Sequence, residues 1–386
     1  MPIIVDRSEL RGAIDIAAIA TKTRSTLAIL QHCVLSAKNG LLTVFADDLE
    51  LGCRTSLPCS PAADESLTLH TADLQAVLGK FDGEAVTITT SSTAETANEP
   101  AAYRTTLKCG KASVKLPGLD PDEYPKPAEE RQLLFETDAT LLADVLARMQ
   151  KAVAGSDASR PMLSGVHVLT EDGKVRFCAT DTHRLHVAWL KVPDAREGSP
   201  LGYIIPARAV AAVLRLFKHG PVRVLVGDDR RVWFSSESVE VVTRLIDGSY
   251  PDPHRVIPDE TNRGAIVECD RKELLHAIDR ASIVAMENAG RVEFQFNEAV
   301  HIRSKSIKGT VEEKVEATCD VRDPQDGDRQ PPDLCCMNAR YLLDTLAAMH
   351  STRVRWYAAP LQAGMMLETD RHAEIEAKYL LMPMSI

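Results

Sequence analysis

Two periodicities alternate along the chain. Stretches with apolar residues at helical spacing are separated by short runs rich in β-branched and aromatic residues. Three helical stretches open on a polar cap containing Asp or Thr: "VDRSELRGAIDIAAIA" from Val5, "FETDATLLADVLARMQKAVA" from Phe135 and "VECDRKELLHAIDRASIVA" from Val267. In the second, Leu141, Leu142, Val145, Leu146, Met149 and Val153 line one face, which predicts an amphipathic helix. Between such stretches "LLTVFA", "AVTITT", "KVRFCAT", "VRVLVG", "VWFSS", "VEVVT", "VEFQF" and "VRWYA" read as strands.

The helical stretches repeat. Matching Leu10, Leu141 and Leu274 gives steps of 131 and 133 residues. A second set, "HTADLQAVLGKF" from His70, "IPARAVAAVLRLF" from Ile205 and "MNARYLLDTLAAM" from Met337, matches Leu78, Leu214 and Leu346 at steps of 136 and 132. Tyr-Pro follows a Gly- and Asp-rich turn at Tyr124 and again at Tyr250, marking junctions. The expectation is an α+β chain of three similar domains, 1–128, 129–256 and 257–386, each of two helix-plus-antiparallel-sheet units.

Composition narrows the class. With 386 residues, 45% hydrophobic and 26% charged, the chain reads as a globular protein with sizeable cores. The start "MPIIVDRSEL" lacks a basic or apolar leader, and no apolar run could span a bilayer, so a cytoplasmic location and no membrane partner are expected. Nine scattered cysteines without a C-x-x-C pair predict neither disulfide framework nor zinc site. "SSTAETANEP" and "RDPQDGDRQPPD" read as long, polar, poorly ordered loops.

A net charge of -10 excludes a uniformly basic surface, yet cations recur on the predicted helices: Lys22, Arg24, Arg148, Lys151 and Arg215, with Arg11, Arg208, Lys218, Arg271, Lys272, Arg280 and Arg340. On any one helix they read as a solvated face. Recurring through a repeat, they could form one positive surface that holds a duplex backbone without reading bases, and few aromatics lie among them for base stacking.

"ATDTHRLHVAW", from Ala179, concentrates Asp181, His183 and Arg184. Catalysis would require a nucleophile or metal partner, and His167, His183, His186 and Asp181 show no metal-ligand spacing. The alternative is a turn whose Asp and Thr bond the local backbone.

At this point the residues match a known family. "RSTLAIL" at Arg24, "TVFADDLELG" at Thr43, "MLSGVHV" at Met162, "ATDTHRL", "LIDGSYPDPHRVIP" at Leu245, "NARYLLDTLAAM" at Asn338 and the terminal "YLLMPMSI" occur in the order and spacing of that family. The chain resembles the β subunit of bacterial replicative DNA polymerase, the sliding clamp, over essentially its full length. The resemblance implies a non-enzymatic, cofactor-free processivity factor of the DNA clamp fold: a homodimeric ring, helices lining the hole, around duplex DNA of any sequence. Its partners would be the polymerase catalytic subunit and a clamp loader; ATP would belong to the loader, in keeping with the absence here of G-x-x-x-x-G-K-[ST].

Carried over residue by residue, a partner-peptide pocket between the second and third domains would use Leu163, Thr180, His183, Arg184, Leu185, Pro251, Arg255, Val256, Asn338, Tyr341, Leu380, Met382, Pro383 and Met384. Arg24 and Arg160 match DNA contacts, and Ile283 and Val284 would face a partner strand containing Val114. Two departures read as a divergent, accessory clamp. Thr182 stands where clamps usually have Gly, and Pro161 and Met162 stand where many carry two Tyr that touch DNA.

Overall fold

Each of the six amphipathic stretches is a helix: α1 (Arg7–Ala17), α2 (Thr71–Leu78), α3 (Ala139–Gln150), α4 (Ala207–Leu216), α5 (Arg271–Ala285) and α6 (Ala339–Ala348). The computed structural model describes the chain except at positions 1, 23, 61–63, 94–101, 128–129, 156–158, 258–264, 321–334, 359–363, 370–372 and 385–386. The polar loops expected to be poorly ordered therefore fall largely outside the described residues, and the expected domain junctions fall at or beside such positions.

Side-chain caps start several helices. Asp6 accepts the amides of Ser8 and Glu9 at 2.8 and 2.9 Å, Asp270 accepts Glu273 N–H at 2.9 Å, and Asn338 accepts Arg340 N–H at 3.0 Å. Counting from the residue before each helix corrects the repeat register. Leu10 and Leu274 are fully buried, and their counterpart on α3 is the fully buried Leu142, while Leu141 is half exposed. The step from Leu10 to Leu142 to Leu274 is then the same, 132 residues, each time.

The chain packs as two compact units, 1–139 with 211–245, and 140–210 with 246–386. The first holds two antiparallel sheets. One has four strands in the order Ile3–Asp6, Ala85–Thr93, Ala102–Cys109, Ala112–Gly118. The other has eight, in the order Glu65–His70, His32–Lys38, Leu41–Asp47, Leu51–Pro58, Val239–Arg244, Arg231–Ser235, Pro221–Val226, Gln132–Asp138. The second unit holds one twelve-stranded sheet: Tyr203–Pro206, Gly165–Glu171, Lys174–Thr180, Arg184–Lys191, Ile375–Leu381, Gly364–Glu368, Arg353–Ala358, Ala265–Asp270, Gly309–Asp320, Ala299–Ser306, Arg291–Phe296, Cys335–Asn338.

The middle third of the sequence is thus shared between the units, because its strands complete the sheets of both neighbours. Thr55 pairs with Val239 in the eight-stranded sheet, and Arg184 pairs with Leu381 in the twelve-stranded one. Ladder hydrogen bonds continue across each seam, so separating the parts would leave strand edges bare.

Apolar faces of helices and sheets close the cores. In the second unit Trp356 sits edge-on to Phe294 and Phe296, ring centres 5.1 Å from each, above Leu274, Ile278 and Leu342. In the first unit Trp233, Phe45 and Tyr124 form a smaller cluster. Both Tyr-Pro junctions bury their tyrosine to hold a neighbouring turn. Tyr124 Oη accepts Asp47 N–H at 2.9 Å, and Tyr250 Oη accepts Thr180 N–H at 3.0 Å.

Candidate functional site

The turn after Thr180 is built twice. In the second unit Asp181 Oδ1 accepts the amides of His183 and Arg184, both at 3.0 Å. In the first, Asp48 Oδ1 accepts those of Glu50 and Leu51 at 3.1 and 2.9 Å. Both turns need a left-handed residue after the aspartate, and Thr182 and Leu49 each have φ 77°. The Asp-based turn closes a strand pair and takes this residue through the region glycine occupies most cheaply.

A threonine there is strained, since the left-handed region costs an L-residue about 1–2 kcal/mol and β-branching adds crowding. Thr182→Gly should therefore raise stability by about 1 kcal/mol, after the loss of about 0.4–1 kcal/mol from glycine's freer unfolded chain. A lower urea midpoint would show that the turn does not impose this conformation.

The side chains of the turn are already engaged. Asp181 Oδ2 accepts Arg184 Nε–H at 3.0 Å, and Arg184 Nη1 donates to Asp344 Oδ2 on α6 at 2.8 Å. The Arg184 guanidinium lies 4.7 Å from the centre of the Tyr341 ring, on which His183 also stacks at 5.8 Å. Thr180 Oγ1 donates to Arg184 O at 2.6 Å. The Asp181 carboxylate therefore shapes the turn and neutralises Arg184, which is an anchoring role. Among the described residues no group of three or more His, Cys, Asp or Glu side chains could hold a metal ion.

Beside the turn opens a cavity of about 200 Å³. Its lining comprises Leu163, Thr180, Arg184, Leu185, Pro251, Val256, Leu380 and Met382, all expected, together with Arg160, Thr182, Asp252 and Pro253. Leu163, Leu185 and Leu380 are nearly buried and belong to a cluster with Cys178, Val187, Ile204 and Tyr250. The chain's end closes one side: Met382 N–H donates to His183 O at 2.8 Å, and Met384 N–H to Cys336 O at 2.7 Å. Met382 itself stays 51% exposed, a flexible apolar side chain free to repack. The site can bury an apolar side chain, with charge confined to Arg160 and Asp252 and to the neutralised Arg184.

The remaining expected pocket residues lie outside this lining. Asn338 caps α6 and donates to Ala289 O at 3.1 Å, so its side chain is structural. His183 and Tyr341 stack on each other, Arg255 is 84% exposed with Asp252 3.9 Å away, and Pro383 and Met384 are half-buried. Asp252 and Pro253 were legible in "YPDPHR": Asp252 caps the short 3-10 turn Pro253–Arg255 by accepting His254 N–H at 3.1 Å.

Two expectations need correction. Arg148 is 3% exposed and cannot meet a phosphate. Its Nε and Nη2 grip Asp144 at 2.9 and 3.0 Å, and its Nη1 reaches Glu368 and donates to Tyr379 Oη at 2.7 Å. Val284 is 8% exposed, so of the expected interface pair only Ile283, at 70%, is presented outward, joined by Met286 at 66%. Val114 is half-buried on Ala112–Gly118, an edge strand of the four-stranded sheet. Arg24, Lys151, Arg160 and Arg215 are exposed and Lys22 half-exposed. Among the other helix cations Arg271 donates to Ser351 O at 2.7 Å and Arg280 pairs with Glu313 at 2.6 Å, while Arg11, Lys272 and Arg340 are exposed.

A larger cleft of about 380 Å³ opens at the end of the same sheet beside Trp189. Three of its lining cations are engaged, Arg148 as above, Lys191 on Ala373 O at 2.6 Å and Arg355 on Glu268 at 2.5 Å, and its lining is more charged than that of the smaller cavity.

Family models of the DNA polymerase III beta subunit match along the chain: the N-terminal domain over residues 1–128, the central domain over 136–252 and the C-terminal domain over 254–385. The beta sliding clamp of Staphylococcus aureus (strain Mu50) is 28% identical over 348 residues, covering 87% of this chain and 86% of that protein. Among solved structures, the beta subunit from DNA polymerase of Streptococcus pyogenes superposes with TM-score 0.87 at 20% identity, covering both chains in full. The DNA polymerase sliding clamp from Bacillus subtilis gives 0.87 at 23% identity, over 100% of this chain and 99% of that one.

Proposed function

The chain belongs to the DNA polymerase III beta subunit family, with its three-domain clamp fold, and from that premise we propose that it is a cytoplasmic, non-catalytic sliding clamp. Two copies close head to tail around duplex DNA, and the cavity beside Thr180 tethers the replicative polymerase, the clamp loader and other partners by a short peptide. The observation that carries this reading is the cavity itself: an apolar floor walled by the Asp181 turn on one side and the chain's end on another, joined by the Met382 N–H to His183 O bond.

The mechanism contains no bond-making step. Holding a polymerase on a ring makes each re-binding to the template effectively intramolecular. Arg24, Lys22, Lys151, Arg160 and Arg215 supply sequence-independent phosphate contacts, which salt weakens without opening a closed ring. The edge strand with Val114 and the outward Ile283 and Met286 are two different surfaces, as a heterologous interface requires.

Fluorescence polarisation with a labelled Gln-Leu-Ala-Leu-Phe peptide tests the tether. The intact protein should bind at micromolar Kd, worth about 8 kcal/mol, and a chain lacking residues 382–386 should bind at least about tenfold more weakly. A folded intact protein that ignores the peptide would refute the tethering role. Loaded protein should also stay on nicked circular DNA in high salt and leave once the circle is cut. Equal loss from circles and linear DNA would instead favour a clamp-fold interaction scaffold that does not encircle DNA.

A further inference from the structure

The left-handed φ of Thr182 belongs to the turn, since Leu49 shares it in the first unit. What distinguishes Thr182 is where its side chain goes: it is exposed and lines the cavity. It also has little freedom to move away. Thr182 N–H donates to Thr180 Oγ1 at 3.1 Å, the next two amides are held by Asp181, and Thr180 is tied to Arg184 O. The direction of the Cα–Cβ bond is therefore fixed, and β-branching stiffens χ1 on top of it.

Resting on the peptide-tether reading, we propose that Thr182 is a specificity-determining residue: its Cβ, Oγ1 and Cγ2 narrow the mouth of the cavity, so that the protein selects partner peptides by the size of their apolar anchor and favours an aliphatic residue over a large aromatic one. The neighbouring lining makes this one atom group decisive. Leu163, Leu185 and Leu380 are packed from behind and cannot retreat, and Pro251 and Pro253 have rigid rings. The adaptable walls are the exposed Met382, Val256 and Arg160, and Met382 is tethered through its own amide to His183 O, directly after Thr182. Size selection at such a mouth operates by overlap with fixed atoms, which rejects a larger group more sharply than a roomy pocket rejects a smaller one.

The test compares labelled Gln-Leu-Ala-Leu-Leu, Gln-Leu-Ala-Leu-Phe and Gln-Leu-Ala-Leu-Trp on the full chain, on Thr182→Gly and on Thr182→Asn. Asparagine tolerates the left-handed region while keeping a side chain at the mouth. The ratio of the Kd for the Trp peptide to that for the Leu peptide should fall about tenfold in Thr182→Gly, and stay within about twofold of the original in Thr182→Asn. Binding of the Trp peptide by the glycine variant alone, with the Phe peptide still bound by the original protein, would be the extreme form of the same result. If the original protein binds peptide and the glycine substitution shifts all three affinities by one common factor, or none, Thr182 is only a turn residue and the inference fails while the tether stands. If none of the proteins binds any peptide, the tether and the inference fall together.

Discussion

Replacing Arg148 by alanine should destabilise the second unit by about 3–5 kcal/mol, the cost of leaving buried carboxylates without their cation. Asp144 and Glu368 are 15% and 12% exposed, and both rely on this guanidinium. Glu368 keeps only the Tyr379 hydroxyl at 2.8 Å and the amides of His350 and Ser351 at 2.9 and 3.0 Å. Because α3 and the last strands meet through this cluster, its loss should also loosen the cavity. Denaturant unfolding reads the effect. Adding Glu368→Gln to an Arg148→Met variant should recover part of the loss, since it removes one of the two carboxylates left without their cation while Asp144 stays charged. A single substitution costing under about 1 kcal/mol would mean that water already screens the cluster.

The second large effect is a dependence on pH. His186 is fully buried between Arg148 O, which lies 2.8 Å from its Nδ1, and Thr345 Oγ1, 3.0 Å from its Nε2, with Tyr379 edge-on at 4.9 Å. Burial, aided by the Arg184 charge, pushes its pKa from 6.5 down to about 4, although the Arg148 carbonyl, Asp181 and Asp344 pull the other way. The folded state therefore holds a neutral imidazole where the unfolded chain takes up a proton. Between pH 6.5 and about 4 the unfolded state binds more protons, so stability is present above 6.5 and declines as pH falls through that window. The full loss is about 3 kcal/mol at 1.36 kcal/mol per pKa unit. His32 and His167, also shifted down by burial, act in the same direction. Subtracting the pH profile of His186→Gln from that of the original isolates the His186 share, and identical slopes from pH 6.5 to 4 would dispose of it.

Much of the candidate site was readable residue by residue. Leu163, Leu185, Leu380 and Met382 are apolar residues in segments whose order and spacing match a family, and they do meet around one cavity. The oddity of Thr182 was also visible, because a threonine stood where the turn calls for glycine, and its φ of 77° gives that oddity a physical form. His183, Tyr341 and Asn338 were harder to place. Each has the polarity of a contact residue, but stacking and helix capping engage them locally. Arg160, which the resemblance implies as a DNA contact, stands at the cavity, a placement that no local pattern encodes.

By itself the sequence determined the elements and their repetition. Apolar spacing, Asp and Asn caps and Tyr-Pro corners are local features, governed by the geometry of a helical turn or a pleat, and the helical stretches recur at 131 and 133 residues from Leu10 to Leu141 to Leu274, one residue off the buried register that runs through Leu142. Only the tertiary structure decided which polar residues are interior. Arg148 looks like a solvated helix cation, and becomes a core residue because Glu368, 220 positions away, arrives beside it. Val284 turned inward and Ile283 outward for a similar reason, and the middle third of the chain was divided between two units because its edge strands found ladders on both sides. Periodicity records whether a face is covered; the identity of a buried charge's partner depends on segments distant in sequence, and the energy that selects it exists only once both have left water.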